Sequence, residues 1–499
     1  MKNGLYTLVF FFLLTTITDA QQAWTLQTNP LGAQVSGTPA CGKVQFVSPT
    51  EGWIATDKGQ LLHTTNAGSV WMVETPGGSD TVGVVDSYDV SLSFINQTTG
   101  WAIGTLGGYS NAHGAVLYKT TDGGGIWSRQ VLASWTYGMG VQFIDANNGW
   151  VMVFNGPFPS NIFSGILHTT DGGTTWSTQS TANGKLGFVS FIDPNNGFCV
   201  TDSMSSSGKF ISPCEILHTT NAGTTWVTQL HDNTPGGFEA FKFVNGSNGW
   251  VVGDSAKILH TTNGGANWTA ITNTGVGSSA KSKAVFFLDA NNGWIGNGSY
   301  GPNVVLHTTN GGGSWTSTPS GTQYNIFSIF FTDANNGWLS ADYGGIAHTI
   351  SGGEPPTAIP LNLTAGWNMV SVPVTVSDYL KTSLFPNAIS NAFDYSGSYN
   401  VKDTLKNGVG YWVMYSADET DSIKGGERLQ DTLALISGWN MIGSISAAVS
   451  VGSVTTIPPS IITSNFFEYT GSYIVADSIK PGKAYWVYAS EPGALILKK

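Results

Sequence analysis

The chain has 499 residues, 64 of them Gly, and only 10% of its residues are charged, against roughly 25% in ordinary soluble domains. Its formal net charge is −11 and its only arginines are Arg129 and Arg428, so a basic nucleic-acid-binding face is excluded. A chain this poor in helix formers and this rich in Gly, Thr, Ser and Asn excludes long helices and coiled coils and reads as all-β, with 25 Phe, 18 Trp and 17 Tyr to fill a large core.

Residues 1–20 read as an export signal. Lys2 supplies the positive end, Leu5 to Leu14 is the apolar run, and Thr18-Asp19-Ala20 resembles a small-residue cleavage site. The expected mature N-terminus is Gln21, and the expected location is secreted or at the cell surface. No later segment is apolar and long enough to span a bilayer as a helix.

From there a unit recurs seven times. A Phe stands at 46, 94, 143, 191, 243, 287 and 331, and seven residues after each comes Trp53, Trp101, Trp150, Phe198, Trp250, Trp294 or Trp338, always after Gly. A polar turn such as Asp145-Ala146-Asn147-Asn148-Gly149 separates them. The second mark is Leu-His-Thr-Thr-Asp/Asn-Gly/Ala-Gly-x-x-Trp, ending at Trp71, Trp127, Trp176, Trp226, Trp268 and Trp315. The spacing of 44–52 residues between units is that of a four-stranded propeller blade. In the third unit the expected strands are A from Gly140, B from Trp150, C from Gly165 and D from Trp176.

The seventh unit stops at Ser351-Gly352-Gly353 with no Trp strand after it. An orphan copy of that strand, Trp24-Thr25-Leu26-Gln27, lies at the other end. The expected fold is therefore a seven-bladed β-propeller, residues 21–354, closed by its N-terminal strand, which leaves no open sheet edge in the ring.

Residues 355–360 read as a linker. Beyond it a different unit occurs twice, as repeats 361–432 and 433–499. Gly366-Trp367-Asn368-Met369 returns as Gly438-Trp439-Asn440-Met441, and Tyr411-Trp412-Val413 as Tyr485-Trp486-Val487. This is expected to be a C-terminal β-rich domain of two repeats, with a possible role in cell-surface attachment.

The second mark fits the Asp-box, or BNR, pattern best at Thr169-Thr170-Asp171-Gly172-Gly173-Thr174-Thr175-Trp176. With the Asn-Gly-Trp mark, residues 23–354 resemble the photosystem II assembly-factor family of seven-bladed propellers. That resemblance implies the ring architecture and a protein-binding role in assembly. Asp-boxes also occur in sialidases, which grip a carboxylate with three arginines; two arginines in the whole chain exclude that activity. Xyloglucanase-like enzymes set an acidic pair between two propellers, and this chain has one.

The Asp-box reads as a turn staple, with Asp or Asn closing onto backbone N–H groups. The recurring His63, His168, His218, His260, His307 and His348, with Lys119 in the second blade, read as packed repeat residues rather than a metal set. The Asp145, Asp289 and Asp333 turns lack the further ligands of a calcium loop. Cys41, Cys199 and Cys214 form no disulfide framework; Cys199 is expected opposite His218 and out of bonding reach of Cys214. No metal, cofactor, nucleophilic triad or phosphate loop is expected.

The residues free of the repeat are more telling. Trp135 has no repeat role, nor do His113 and His231. All are expected in B–C or D–A connections, which share one face of a propeller. Tyr109, Tyr137, Phe158, Asp232, Asp254, Tyr300, Tyr324, Asp342 and Tyr343 are expected on the same face. Loop tips freed from packing carry function, and exposed aromatics with carboxylates suit a protein or glycan ligand. Trp135, Tyr137, Tyr109, His113, His231, Asp232, Tyr300 and Tyr343 are the candidate binding residues. The leading expectation is an exported, non-enzymatic scaffold. The alternatives are a photosystem II assembly-factor-like protein and a glycoside-active enzyme using a pair such as Asp57 and Asp342.

Overall fold

The computed structural model describes residues 23–32, 38–76, 91–106, 114–134, 136–155, 163–179, 189–204, 210–234, 237–272, 280–298, 303–376 and 378–499. Residues 1–20, read as an export signal, lie outside them.

Alternation of apolar and polar residues between invariant turns gives short strands, and the strands assemble in sequence order. Among the described residues, seven four-stranded antiparallel sheets form the N-terminal two-thirds. Blade 3 is representative, with strands Thr136–Phe143, Gly149–Asn155, Phe163–Thr169 and Ser177–Gln179 as A to D. Blade 7 takes its first three strands from Ile326–Phe331, Gly337–Ala341 and Gly345–Thr349, and its fourth is Thr25–Leu26. Thr25 pairs with His348 and Leu26 with Ala347.

The two sequence marks meet in one aromatic layer between blades. Each Gly-Trp ring stacks on the Phe of the next blade. The centroid distances are 3.7 Å for Trp53–Phe94 and 3.6 Å for Trp101–Phe143 and Trp150–Phe191. They are 3.6 Å for Phe198–Phe243, 3.5 Å for Trp250–Phe287 and 3.6 Å for Trp294–Phe331. Trp338 stacks on Phe46 at 3.6 Å and donates its indole N–H to the Ala67 carbonyl at 3.1 Å, so blade 7 meets blade 1 as every other pair meets. The Asp-box Trp of each blade abuts its own Phe edge-on, as in Phe143–Trp176 at 6.2 Å. In blade 7 that place is filled by Trp24, 5.8 Å from Phe331 at 84° and fully buried.

The stack explains the Gly before each Trp. A Cβ at Gly149 would lie 2.4 Å from the Phe143 ring, and one at Gly249 2.4 Å from the Phe243 ring. Even alanine is therefore too large there. The strand C histidines cover the other face of the indole, for example His168 on Trp150 at 4.8 Å and His348 on Trp338 at 4.5 Å. In blade 2 Lys119 takes the place of His. Its ammonium lies 5.3 Å from the Trp101 centroid and donates to the Gly172 carbonyl at 2.9 Å.

The turns are self-contained. Asp171 Oδ1 accepts from the Thr169 hydroxyl at 2.7 Å and the Thr175 amide at 2.8 Å, and Oδ2 from the Thr175 hydroxyl at 2.6 Å. The Thr175 bonds, first, hold its carboxyl down at about 2. Asp145 likewise accepts from the amides of Asn147 and Asn148, both at 2.7 Å, so this is an Asx turn.

Cys41, Cys199 and Cys214 are buried and outside any disulfide. Cys199 faces Leu217, not His218, because the stack puts Phe198 opposite His218.

The C-terminal units have separate cores, one around Phe385, Tyr411 and Val413 and one around Phe466, Tyr485 and Val487. A shared layer of Met369, Trp412, Met441 and Trp486 lies between them. Tyr395 meets Trp486, and Trp412 meets Tyr469, each at 4.9 Å and 76°, so the pair is pseudo-twofold. The stretch read as a linker, 355–360, runs into a strand, Thr357–Leu363, which pairs with Glu419–Gly425. The 432/433 boundary falls inside Gln430–Leu435, a strand paired wholly with the second copy's Gly493–Lys498. Alternating apolar residues, Ile359, Leu361 and Leu363, drive the first of these strands into the core.

Removing residues 21–30 takes out both the fourth strand of blade 7 and its Trp. Trp24→Ala alone is expected to cost about 3–5 kcal/mol in chemical denaturation, as for other buried aromatics, and the deletion at least as much. Burial lowers the His348 pKa to about 4, with Asp333 opposing. The unfolded chain therefore binds the proton first on acidification. Stability should be full above about 6.5, the unfolded His value, and decline as pH falls towards 4. In His348→Asn, melting curves across that range should show a shallower decline.

Candidate functional site

The two ends of the ring are built differently. The A–B turn, from Phe to Gly, spans six residues in all seven blades, and the C–D turn, from Thr64 to Trp71 and its equivalents, spans seven. The B–C connection, from the stacking Trp or Phe to the His or Lys, varies from 10 to 20 residues. Antiparallel order puts the A–B and C–D turns at one end and the B–C and D–A connections at the other.

Of the candidate binding residues at the variable end, Tyr109, His113, Trp135 and Tyr300 lie outside the described residues, as does Phe158. Tyr137 is not in a D–A connection. It belongs to strand A of blade 3, its backbone opposite Phe154. A register shift between Gly138 and Gly140 lets that strand begin at Thr136 rather than Gly140. His231 and Asp232 are also within a strand, Val227–Asp232, the long D strand of blade 4. There His231 Nδ1 lies 3.0 Å from Glu215, its cross-strand neighbour. Tyr343 sits in a short 3-10 turn at φ 51°, with its ring 4.6 Å from Tyr324.

Two carboxylates at this end bind blades to one another. Asp232 of blade 4 pairs with Lys257 of blade 5 at 2.9 Å, and Asp254 of blade 5 with Lys281 of blade 6 at 3.2 Å. Asp342 of blade 7 has its carboxyl raised above the usual range by burial, against the opposing pull of Asn325 and Lys283. Asp57 accepts the Ala40 amide at 3.0 Å, and Asp342 accepts from Asn325 at 3.3 Å. Each of these carboxyls thus holds its own blade's backbone or amide in place.

The inner wall carries a second set of polar groups. The residue before each stacking Phe is Gln45, Ser93, Gln142, Ser190, Lys242, Phe286 or Phe330. In blades 1 and 3 this residue staples the next blade. Gln45 donates to the Phe94 carbonyl at 2.7 Å and accepts its amide at 3.0 Å, and Gln142 treats Phe191 likewise, at 2.8 Å each way. Ser93 accepts the Phe143 amide at 2.9 Å. At blade 5 the staple is replaced by Lys242, whose ammonium lies 5.3 Å from the Phe286 ring centre. A cavity of about 490 Å³ opens beside it between blades 4 and 5, lined by Gln142, Ser190, Asp193, His218, Lys242 and Asn245 among others. Sequence reading missed this site. Its signal was a lysine in a column otherwise held by Gln, Ser and Phe.

In the C-terminal pair, Trp367 and Trp439 are each 42% exposed, so repetition there does not mean burial. The Asn after each Trp explains the motif instead. Asn368 Oδ1 accepts the Thr364 amide at 3.0 Å, and Asn440 Oδ1 the Ile436 amide at 2.9 Å.

Residues 238–324 match the model of the family described as Photosynthesis system II assembly factor YCF48. No curated protein sequence matches the chain. Solved structures with a similar trace include YCF48 bound to D1 peptide, at TM-score 0.49 and 17% identity over 66% of this chain and 97% of that one. YCF48 from Cyanidioschyzon merolae gives 0.47 and 17% over 65% and 98%. A GH74 enzyme from Niastella koreensis gives 0.49 and 13% over 90% and 74%. The family match falls on blades 5 and 6, whose marks recur in all seven blades, so the ring is a seven-bladed propeller of BNR-type repeats that is similar, over residues 238–324, to the photosystem II assembly-factor family.

Proposed function

We propose that the protein is an exported, non-enzymatic scaffold that holds a polypeptide on the B–C/D–A end of its propeller. The observation that carries this reading is the contrast between the two ends of the ring. One is fixed in length and closed by its own side chains, while the other changes length from blade to blade. A rigid ring presenting variable loops is the usual arrangement of a recognition surface. The Asp–Lys pairs that join blades 4, 5 and 6 hold that end rigid, which limits the ordering cost of binding.

The match of residues 238–324 to an assembly-factor family favours a more specific second reading. In it, the polypeptide is a subunit of a membrane complex, held while the complex is built. A signal cleaved near Ala20 would put the ring on the exported side of the membrane.

Peptide and glycan arrays probed with the mature chain test the proposal. Peptides should be retained, and Trp135→Ala should weaken retention about tenfold, as loss of an interface aromatic does, with an unchanged melting temperature. Retention of glycans alone, or hydrolysis of a β-glucan, would overturn the scaffold reading.

A further inference from the structure

Three short B–C turns of the ring begin with the same residue. Four residues after the stacking Trp stands Asp57 in blade 1, Asp254 in blade 5 and Asp342 in blade 7. In each, the amide of the Asp donates to the segment that enters its own blade. The acceptors are the carbonyls of Ala40 at 3.1 Å, Gly237 at 3.1 Å and Asn325 at 3.0 Å. The three carboxylates therefore leave equivalent backbones.

Two of them have a lysine. Lys58, the next residue in the chain, lies 4.0 Å from Asp57. Asp254 meets a lysine of the next blade, Lys281 at 3.2 Å, which stands six residues before Phe287. At blade 7 neither place holds a cation. The residue after Asp342 is Tyr343, and the residue of blade 1 six before Phe46 is Ala40. Among the described residues Asp342 makes no ion pair, and its one side-chain hydrogen bond comes from the neutral Asn325 amide, 3.3 Å from Oδ2. Lys283 acts on the carboxylate only from a distance, because its ammonium lies over the Phe327 ring, 5.1 Å from the centre. A part-buried carboxylate loses hydration, and one long neutral bond offsets that only weakly.

Where the lysine is missing, aromatic rings are gathered. Tyr324-Asn325 and Asp342-Tyr343 face each other, so the two tyrosine rings, 4.6 Å apart, flank the contact between Asn325 and Asp342. Tyr343 is 37% exposed and has a φ of 51°, a left-handed conformation that costs a bulky residue about 1–3 kcal/mol. The turn is pinned from the N-terminal segment that closes the ring, where the Asn29 side chain donates to the Gly344 carbonyl at 2.9 Å.

We propose that Asp342, Tyr343 and Tyr324 take a lysine or arginine side chain of the bound polypeptide, which supplies the cation that Lys58 and Lys281 supply at the equivalent turns. The carboxylate meets the charge, and the exposed face of Tyr343 takes the alkyl stem or the guanidinium plane. The inference rests on the B–C/D–A end being a polypeptide face and names the group that face selects. The net charge of −11 favours the same partner.

Arrays of short peptides, identical but for one central Lys, Arg, Gln or Glu and probed with the mature chain, test this. Retention should be about tenfold stronger with Lys or Arg than with Gln, the effect of one charge-assisted bond, and weakest with Glu. Asp342→Asn keeps an acceptor for Asn325, and Tyr343→Asn suits the left-handed turn. Both variants should keep the wild-type melting temperature. Asp342→Asn should erase the preference for Lys and Arg while Gln peptides are retained as before, and Tyr343→Asn should reduce it. Retention blind to Lys and Arg, or a preference that survives Asp342→Asn, would overturn this site and leave the polypeptide face standing. Retention of no peptide at all would overturn that face and this site with it.

Discussion

One contact is made seven times and the rest of the ring follows from it: a flat aromatic ring of one blade lying against the Phe of the next, at 3.5 to 3.7 Å. Stacked pairs of this kind contribute about 0.5–1.5 kcal/mol beyond the area they bury. They also fix geometry. The stacking Phe crowds out any Cβ at the Gly six residues on, and the stacking Trp offers its far face to a strand C side chain. Two natural exchanges show what each place demands. Phe198 replaces Trp and keeps the stack at 3.6 Å, so flatness matters there. Lys119 replaces His and keeps its charge over the ring, so the outer place accepts any group that can lie on a π face.

This is why so much of the fold was legible. Phe, Gly, Trp and His recur at fixed spacing because a rigid stack tolerates no slippage, and Trp24 declared itself by matching Trp176 and Trp226. What lay outside the stack was read less well. Strand A of blade 3 runs past Gly140 to Thr136, and strand D of blade 4 runs on to Asp232. In both, a register shift and cross-strand partners set the strand end, and neither leaves a periodic mark. The 355–360 stretch looked like a linker because of Pro355, Pro356 and Pro360, yet its alternating aliphatics pair with a strand some 60 residues later. The staples of Gln45 and Gln142 were invisible because the residue before each Phe is not held to one type, although in these blades it bonds the next blade's backbone.

The same stack separates structure from recognition. It takes up most of the aromatic side chains and nearly all the histidines of the repeat, and it fixes the turns at one end. What the stack leaves over is the long connections at the other end and the half-exposed Trp367 and Trp439 of the C-terminal pair. The chain thus carries its variable loops and its exposed indoles on separate parts of its body.

The partner of Thr25 is His348, more than 300 residues away. A ribosome delivers these two at opposite ends of its work. Blades 1 to 6 can pack as they emerge, but the loop between the termini cannot be sealed until the last blade is complete. Until then Trp24 waits without a pocket, and the edge of Gly345–Thr349, once made, waits without a neighbour. A ring zipped in this way closes last, and any cellular helper of closure would find its target in the short strand that carries Trp24.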